Sequence, residues 1–254
     1  ADNTAVGFNT LAVTTSGIQN TAIGSQALQA NTTGLYNTAV GYQSLNIAST
    51  ANQNTSIGTR SLRFCTTGAG NTAVGYQSLG SLSTGSNNIA IGSNSLSSNV
   101  GGGGSVAIGN DTLSSFTAGV GINTAVGYSA LQTTTTGISN VAVGDFVLSS
   151  NLVGSDNTAV GHNALPNSTV SGNTAIGSQS MQLTTTGNQN VALGYNTLAA
   201  NTTGAASTAI GYNALALSTA TGSANNTAMG YNALAANTTA TANTAIGSQS
   251  MQLT

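Results

Sequence analysis

Polar and apolar positions follow one short pattern throughout the chain: Asn, a β-branched residue, Ala, an aliphatic and Gly, then Leu four places beyond the Gly. The Gly stands at Gly7, Gly24, Gly41, Gly58, Gly75, Gly92 and Gly109, and again at Gly127, Gly144, Gly161, Gly177, Gly194, Gly211, Gly230 and Gly247. The step is 17 residues, with single steps of 18, 16 and 19. This period explains why residues 173–184 and 243–254 spell the same twelve letters, four units apart. It predicts one repeat array over 1–254, with no residues left for a second domain.

Each column has its own chemistry. Asn opens thirteen units and Ser opens two, at Ser105 and Ser207. The next residue is Thr in eleven units and otherwise Ile89, Val106, Val141 or Val191. Ala follows, with Ser56 the one exception. A unit of 17 residues is about half the length of a helical-pair repeat. Gly and β-branched residues in every unit also disfavour helix. The fold class expected is therefore all-β: a β-solenoid, or parallel β-roll, of about 15 coils with two short strands per coil. One strand covers Asn-Thr-Ala-Val-Gly, the other surrounds the Leu, and Thr-Thr-Gly and Asn make the corners.

In such a solenoid, identical columns stack at roughly 4.8 Å per coil, so fifteen coils would form a rod on the order of 70 Å long. Stacked coils bury what one coil cannot. The core expected is the ladder Leu28, Leu45, Leu62, Leu79, Leu96, Leu131, Leu165, Leu198, Leu215 and Leu234. Asn side chains are expected to bond backbone and one another along the stack. Replacement of Thr by Ile or Val in four units points the Thr and aliphatic columns inward and leaves Ala and Gly outside. The reverse assignment stays open.

Composition narrows the function classes. Only Arg60, Arg63, Asp2, Asp111, Asp145 and Asp156 carry formal charge, and Lys and Glu are absent. So few cations exclude a nucleic-acid groove, which must neutralise many phosphates. They also argue against an anionic-membrane surface, and no run is apolar for the length of a membrane span. Strictly placed aliphatic columns argue against a disordered low-complexity chain. Cys65 is alone, so neither an intrachain disulfide nor a cysteine metal site is expected.

Several segments resemble a known family. Ser105-Val106-Ala107-Ile108-Gly109 is similar to the S-V-A-I-G repeat of trimeric autotransporter adhesin heads. "NTAVGYQSL" at 37–45 and 71–79, with "NTTG" at 31–34 and 201–204, also resembles repeat regions of phage tail-fibre-like and bacterial surface-fibre proteins. The resemblance implies a left-handed parallel β-roll, three chains side by side, and display outside the cell or on a virion. The unit here is longer than the adhesin-head repeat. Neck, stalk and anchor segments are not visible, and the array is expected to be a piece of a longer fibre.

Catalysis is not expected. Glycoside chemistry normally uses two carboxylates at one site; the Asp residues are scattered, and His162 stands in the Tyr column as a planar substitute. Gly101–Gly104 is not followed by Lys, so it reads as a corner and not a phosphate loop. No cofactor or metal is expected. The leading expectation is a homotrimeric extracellular fibre or adhesin segment at a cell or virion surface. The alternative is a filament whose coils continue end to end between chains. Ice binding is the weakest reading, because Ile and Val interrupt the Thr column. Candidate contacts, to a copy of the chain or to a surface glycan or protein receptor, are the column Tyr42, Tyr76, Tyr128, Tyr195, Tyr212 and Tyr231 and the pair Arg60 and Arg63. The N-x-Ser/Thr sequons at Asn31, Asn201 and Asn237 read as by-products of the repeat.

Overall fold

The structure, a computed structural model, describes residues 2–117 and 121–252. It is an all-β parallel β-solenoid whose strands of three residues follow one another in sequence order. The chain divides into two compact units, 1–124 and 125–254. In the first unit β1 (Thr4–Val6), β2 (Thr21–Ile23), β3 (Thr38–Val40), β4 (Thr55–Ile57), β5 (Thr72–Val74), β6 (Ile89–Ile91) and β7 (Val106–Ile108) pair in parallel, each with the next. The strand β8 (Thr124–Val126) falls on the division. In the second unit the same ladder runs through β9 (Val141–Val143), β10 (Thr158–Val160), β11 (Thr174–Ile176), β12 (Val191–Leu193), β13 (Thr208–Ile210), β14 (Thr227–Met229) and β15 (Thr244–Ile246). Register follows the period: Thr38 lies beside Thr55, and Val191 beside Thr208.

Two expectations need correction. The first is the inward face. The Ala column is the buried one, at 0% exposure from Ala22 through Ala228, whereas the Thr column is half-buried and Ile89, Val141 and Val191 are exposed. The aliphatics before each Gly also face out, as Ile57 and Leu193 do. The interior has room only for a methyl group on the strand side because the Leu column occupies the rest. β-branched residues suit a pleated outer surface equally well. Ser56 confirms the sense of the face. It is buried, and it brings its own partners: Ser44 Oγ lies 2.7 Å from Ser56 Oγ, and Ser61 Oγ lies 2.6 Å from it.

The second correction concerns the strand expected around Leu. Among the described residues each coil has one strand, and the Leu stretch is a turn. The residue two places after each Gly and the Leu or Met four places after it both have positive φ, as at Gln43 (54°) and Leu45 (49°). Left-handed residues at alternate positions curl the chain and forbid an extended segment. That conformation costs an ordinary residue about 1–2 kcal/mol. Full burial of a Leu side chain returns about 1.5–3 kcal/mol, so the curl that delivers Leu inward is stable. All ten Leu expected in the core are buried, as are Leu113 and Met181.

Coils remain bonded to each other through these turns. Leu45 N–H donates to Ser61 O at 3.0 Å and Ile47 N–H to Arg63 O at 3.2 Å. The repeated Gly closes the strand at φ near 130°, and a Cβ on Gly41 would stand 2.7 Å from the Gly58 carbonyl oxygen of the next coil. Only Gly permits both the conformation and that approach.

The Asn ladder forms as expected, and it is buried. Asn37 Oδ1 accepts from the backbone N–H of Asn54 (3.0 Å) and from Asn54 Nδ2 (3.1 Å), while Asn37 Nδ2 donates to Ala51 O at 2.7 Å. A second Asn set closes corners from within its own coil: Asn201 Nδ2 donates to Gly204 O, and Gly204 N–H returns to Asn201 Oδ1, both at 2.9 Å. Asn31, Asn201 and Asn237 of the sequons are buried in these corners, so a glycan there would be incompatible with the fold.

Candidate functional site

In each unit the residues two, five and six places after the repeated Gly line a shallow groove over neighbouring coils. The first of these columns is left-handed throughout, which suits the Asn that often fills it. Its polar side chains bond along the stack where chemistry permits. Gln43 Nε2 donates to Gln26 Oε1 at 2.8 Å, Asn94 Nδ2 to Asp111 Oδ1 at 3.0 Å, and Asn196 Nδ2 to Asn213 Oδ1 at 2.9 Å.

In the first unit a cavity of about 240 Å³ is lined by Arg60, Arg63, Phe64, Gln77, Gly80, Ser81, Ser97 and Ser98. Arg60 and Arg63 are the only cations of the chain, and both are half-buried. The guanidinium carbon of Arg63 lies 4.8 Å from the centre of the Phe64 ring, a cation–π contact. The Nε atoms of Arg60 and Arg63 are buried without a hydrogen-bond partner. Gly80 holds the position that carries Arg63 in the preceding coil, so no side chain fills the space there. Sequence reasoning found the arginines, with Phe64 beside them and Gln77 beside the Tyr column, but missed Gly80, Ser81, Ser97 and Ser98; the signal was their column, one or two periods on.

In the second unit a cavity of about 320 Å³ is lined by Asn196, Asn213, Ala216, Leu217, Asn232, Ala235, Ala236 and Gln252. Here Tyr195, Tyr212 and Tyr231 occupy successive coils and stack, with ring centres 5.3 and 5.4 Å apart and planes inclined by 17° and 12°. Tyr128 meets Phe146 edge to face at 5.2 Å, and Phe146 meets His162 at 6.4 Å. In the first unit Tyr42 and Tyr76 are separated by the coil bearing Thr59. All six candidate Tyr are exposed.

Two of the acidic groups are held locally. Asp111 accepts from Asn94, and Asp145 Oδ1 accepts from the Tyr128 N–H at 3.0 Å. Among the described residues no cluster of His, Cys, Asp or Glu could hold a metal ion. Cys65 is buried in the core column, and burial pushes its thiol from 9.0 to about 11, partly opposed by a backbone hydrogen bond at Gly68.

The fold and this groove together define a class, the parallel β-solenoid with a repeated surface groove. Comparison with protein families, curated proteins and solved structures gives no match.

Proposed function

We propose that the chain is a structural segment of an extracellular fibre or adhesin, a stack of coils that supplies length, stiffness and display, assembled as a homotrimer. The observation that carries this reading is the outward face of the strands. In each unit it is a set of Thr and aliphatic columns with exposed members such as Ile57, Ile91, Val143 and Leu193, and it holds no charged residue to oppose lateral packing. Three copies packed through such faces cover that apolar surface. Position outside the cell and the number three rest on the resemblance to adhesin-head and tail-fibre repeats.

Light scattering during size exclusion tests the assembly. Three times the 24.7 kDa chain mass is expected, and Ile57→Lys with Ile91→Lys should return the chain to a monomer. A wild-type chain that is monomeric at micromolar concentration would overturn the reading. Mass that grows without limit would favour the end-to-end filament. The outward turn of the Thr column also favours ice binding as a second reading, since a flat ladder of exposed Thr is what that activity needs; thermal hysteresis of the purified chain decides it.

A further inference from the structure

We infer that the cavity at Arg60 and Arg63 is a binding site for an acidic saccharide, taken by the carboxylate of a uronate-type sugar residue. The chain carries two cations in 254 residues, and both enter one cavity from one coil. Coincidence on a surface this poor in charge would scatter them. Like charges placed together without a counter-charge repel, so the arrangement is unfavourable until an anion enters. The nearest acid in the Arg60 column is Asp111, three coils on. At roughly 4.8 Å per coil it lies about 14 Å away, well past the screening length of about 8 Å at physiological salt. Asp111 is moreover engaged by Asn94. The two arginines are therefore uncompensated by the chain itself, and each has a buried Nε–H without an acceptor.

The remaining walls select the kind of anion. A guanidinium fork matches a carboxylate through two parallel hydrogen bonds. Around it stand neutral donors and acceptors (Gln77, Ser81, Ser97 and Ser98) suited to sugar hydroxyls, and Phe64, 43% exposed, offers an apolar ring surface for sugar C–H groups. The volume, about 240 Å³, is below the roughly 300–1,000 Å³ of sites that enclose drug-sized ligands. It suits one sugar unit of a chain lying along the open groove. The cation–π contact holds the Arg63 fork in place before the ligand arrives. Gly80 keeps the entrance clear. This site would provide the attachment that a fibre needs, but it does not depend on assembly: a chain that stays monomeric can still bind.

Calorimetry with trigalacturonate tests it. Saturable binding with one site per chain is expected, weakening at least tenfold in Arg60→Gln/Arg63→Gln and at least tenfold for neutral galactotriose on the wild type. Gln fits these columns, since Gln77 occupies that of Arg60 one coil on and Gln29 that of Arg63 two coils back, and circular dichroism verifies the fold of the variant. On the unmodified protein, affinity for trigalacturonate should fall steadily between 50 and about 500 mM NaCl as screening shortens. Phe64→Ala should weaken trigalacturonate about threefold or more while leaving its salt dependence in place. No saturable binding of trigalacturonate, or equal binding by the double variant, overturns the proposal. A tetra-aspartate peptide that binds as tightly as the sugar also overturns it and assigns the arginines to a protein partner.

Discussion

The groove has two chemistries on one backbone. In the first unit, its columns carry Arg60, Arg63 and Phe64 opposite serines, and polar atoms are left without partners. In the second unit the same columns carry Asn196, Asn213 and Asn232 beside a stacked run of Tyr195, Tyr212 and Tyr231; the Asn196–Asn213 bond is made within the stack, and the one atom of that cavity left without a partner, Asn232 Oδ1, is uncharged. The difference teaches how such an array acquires function. The inward columns are nearly invariant because one wrong residue is repeated against its neighbours above and below. The groove columns can drift, since each faces solvent, and a single coil that drifts becomes a site. Specific chemistry is thus a local departure from the repeat, while stability is a property of the repeat.

If that division is right, the core must respond alike in both units. Leu79→Ala in the first and Leu215→Ala in the second remove fully buried side chains from equivalent turns. Each should cost about 2–5 kcal/mol, the range for large-to-small changes in a close-packed core, read by guanidinium titration. A pair differing by more than the span of that range, or a cost near zero in either, would break the equivalence of the two units.

Cys65 sharpens the contrast, because only the first unit has a cysteine. Its folded pKa is raised from 9.0 to about 11 by burial. Stability from the neutral thiol is therefore fully present below pH 9 and is lost as pH rises through 11. At about 1.4 kcal/mol per pK unit, the loss approaches roughly 3 kcal/mol. The stability gap between wild type and Cys65→Ala should be constant below this alkaline window and change only within it, by chemical denaturation at pH 8, 9.5 and 11. The folded thiol should also react slowly with iodoacetamide at pH 8, since the thiolate is the nucleophile. Rapid labelling of the folded chain would contradict its burial.

The Asn ladder gives a finer comparison. Asn54 accepts from both the N–H and the Nδ2 of Asn71 and donates to Gly68 O. Asn190 is followed in its column by Ser207, which uses only its N–H on Asn190 Oδ1, and Asn190 donates to Gly204 O. Buried groups left without partners cost about 1–3 kcal/mol each. Asn54→Ala should therefore destabilise more than Asn190→Ala, while amide exchange speeds up at Asn71 in the one and at Ser207 in the other. The native Ser105 and Ser207 indicate that Ser is the milder replacement at either place.

Much of this was legible in the letters. The period, the parallel stacking, the Leu core and the Asn ladder follow from columns that never change class. The inward face was not, because Thr exchanged for Ile89 or Val141 is equally natural on an exposed β surface and in a core. The left-handed turns were hidden for a related reason: Gly and Asn advertise positive φ, but Leu45 and Leu79 do not. Arg60 and Arg63 stood out as the only basic pair, yet the cavity needed Gly80 and Ser97, which lie one and two periods further along and carry no signal alone.

The smallest effect tests the origin of the difference between the two grooves. If Arg60 and Arg63 are there for a ligand and not for the fold, replacing both with Gln should leave stability unchanged or raise it slightly. Surface substitutions usually stay within about 0.5 kcal/mol, and here the change removes repulsion between two uncompensated charges. The gain should be visible at 10 mM salt, where the screening length is about 30 Å, and vanish near 1 M, where it is about 3 Å. Asn196→Ala/Asn213→Ala in the second unit, which removes a made hydrogen bond, should instead be destabilising and insensitive to salt. A salt-independent loss of stability in the arginine variant would mean that the pair supports the coil, and the two grooves would then differ in how they are built and not in what they bind.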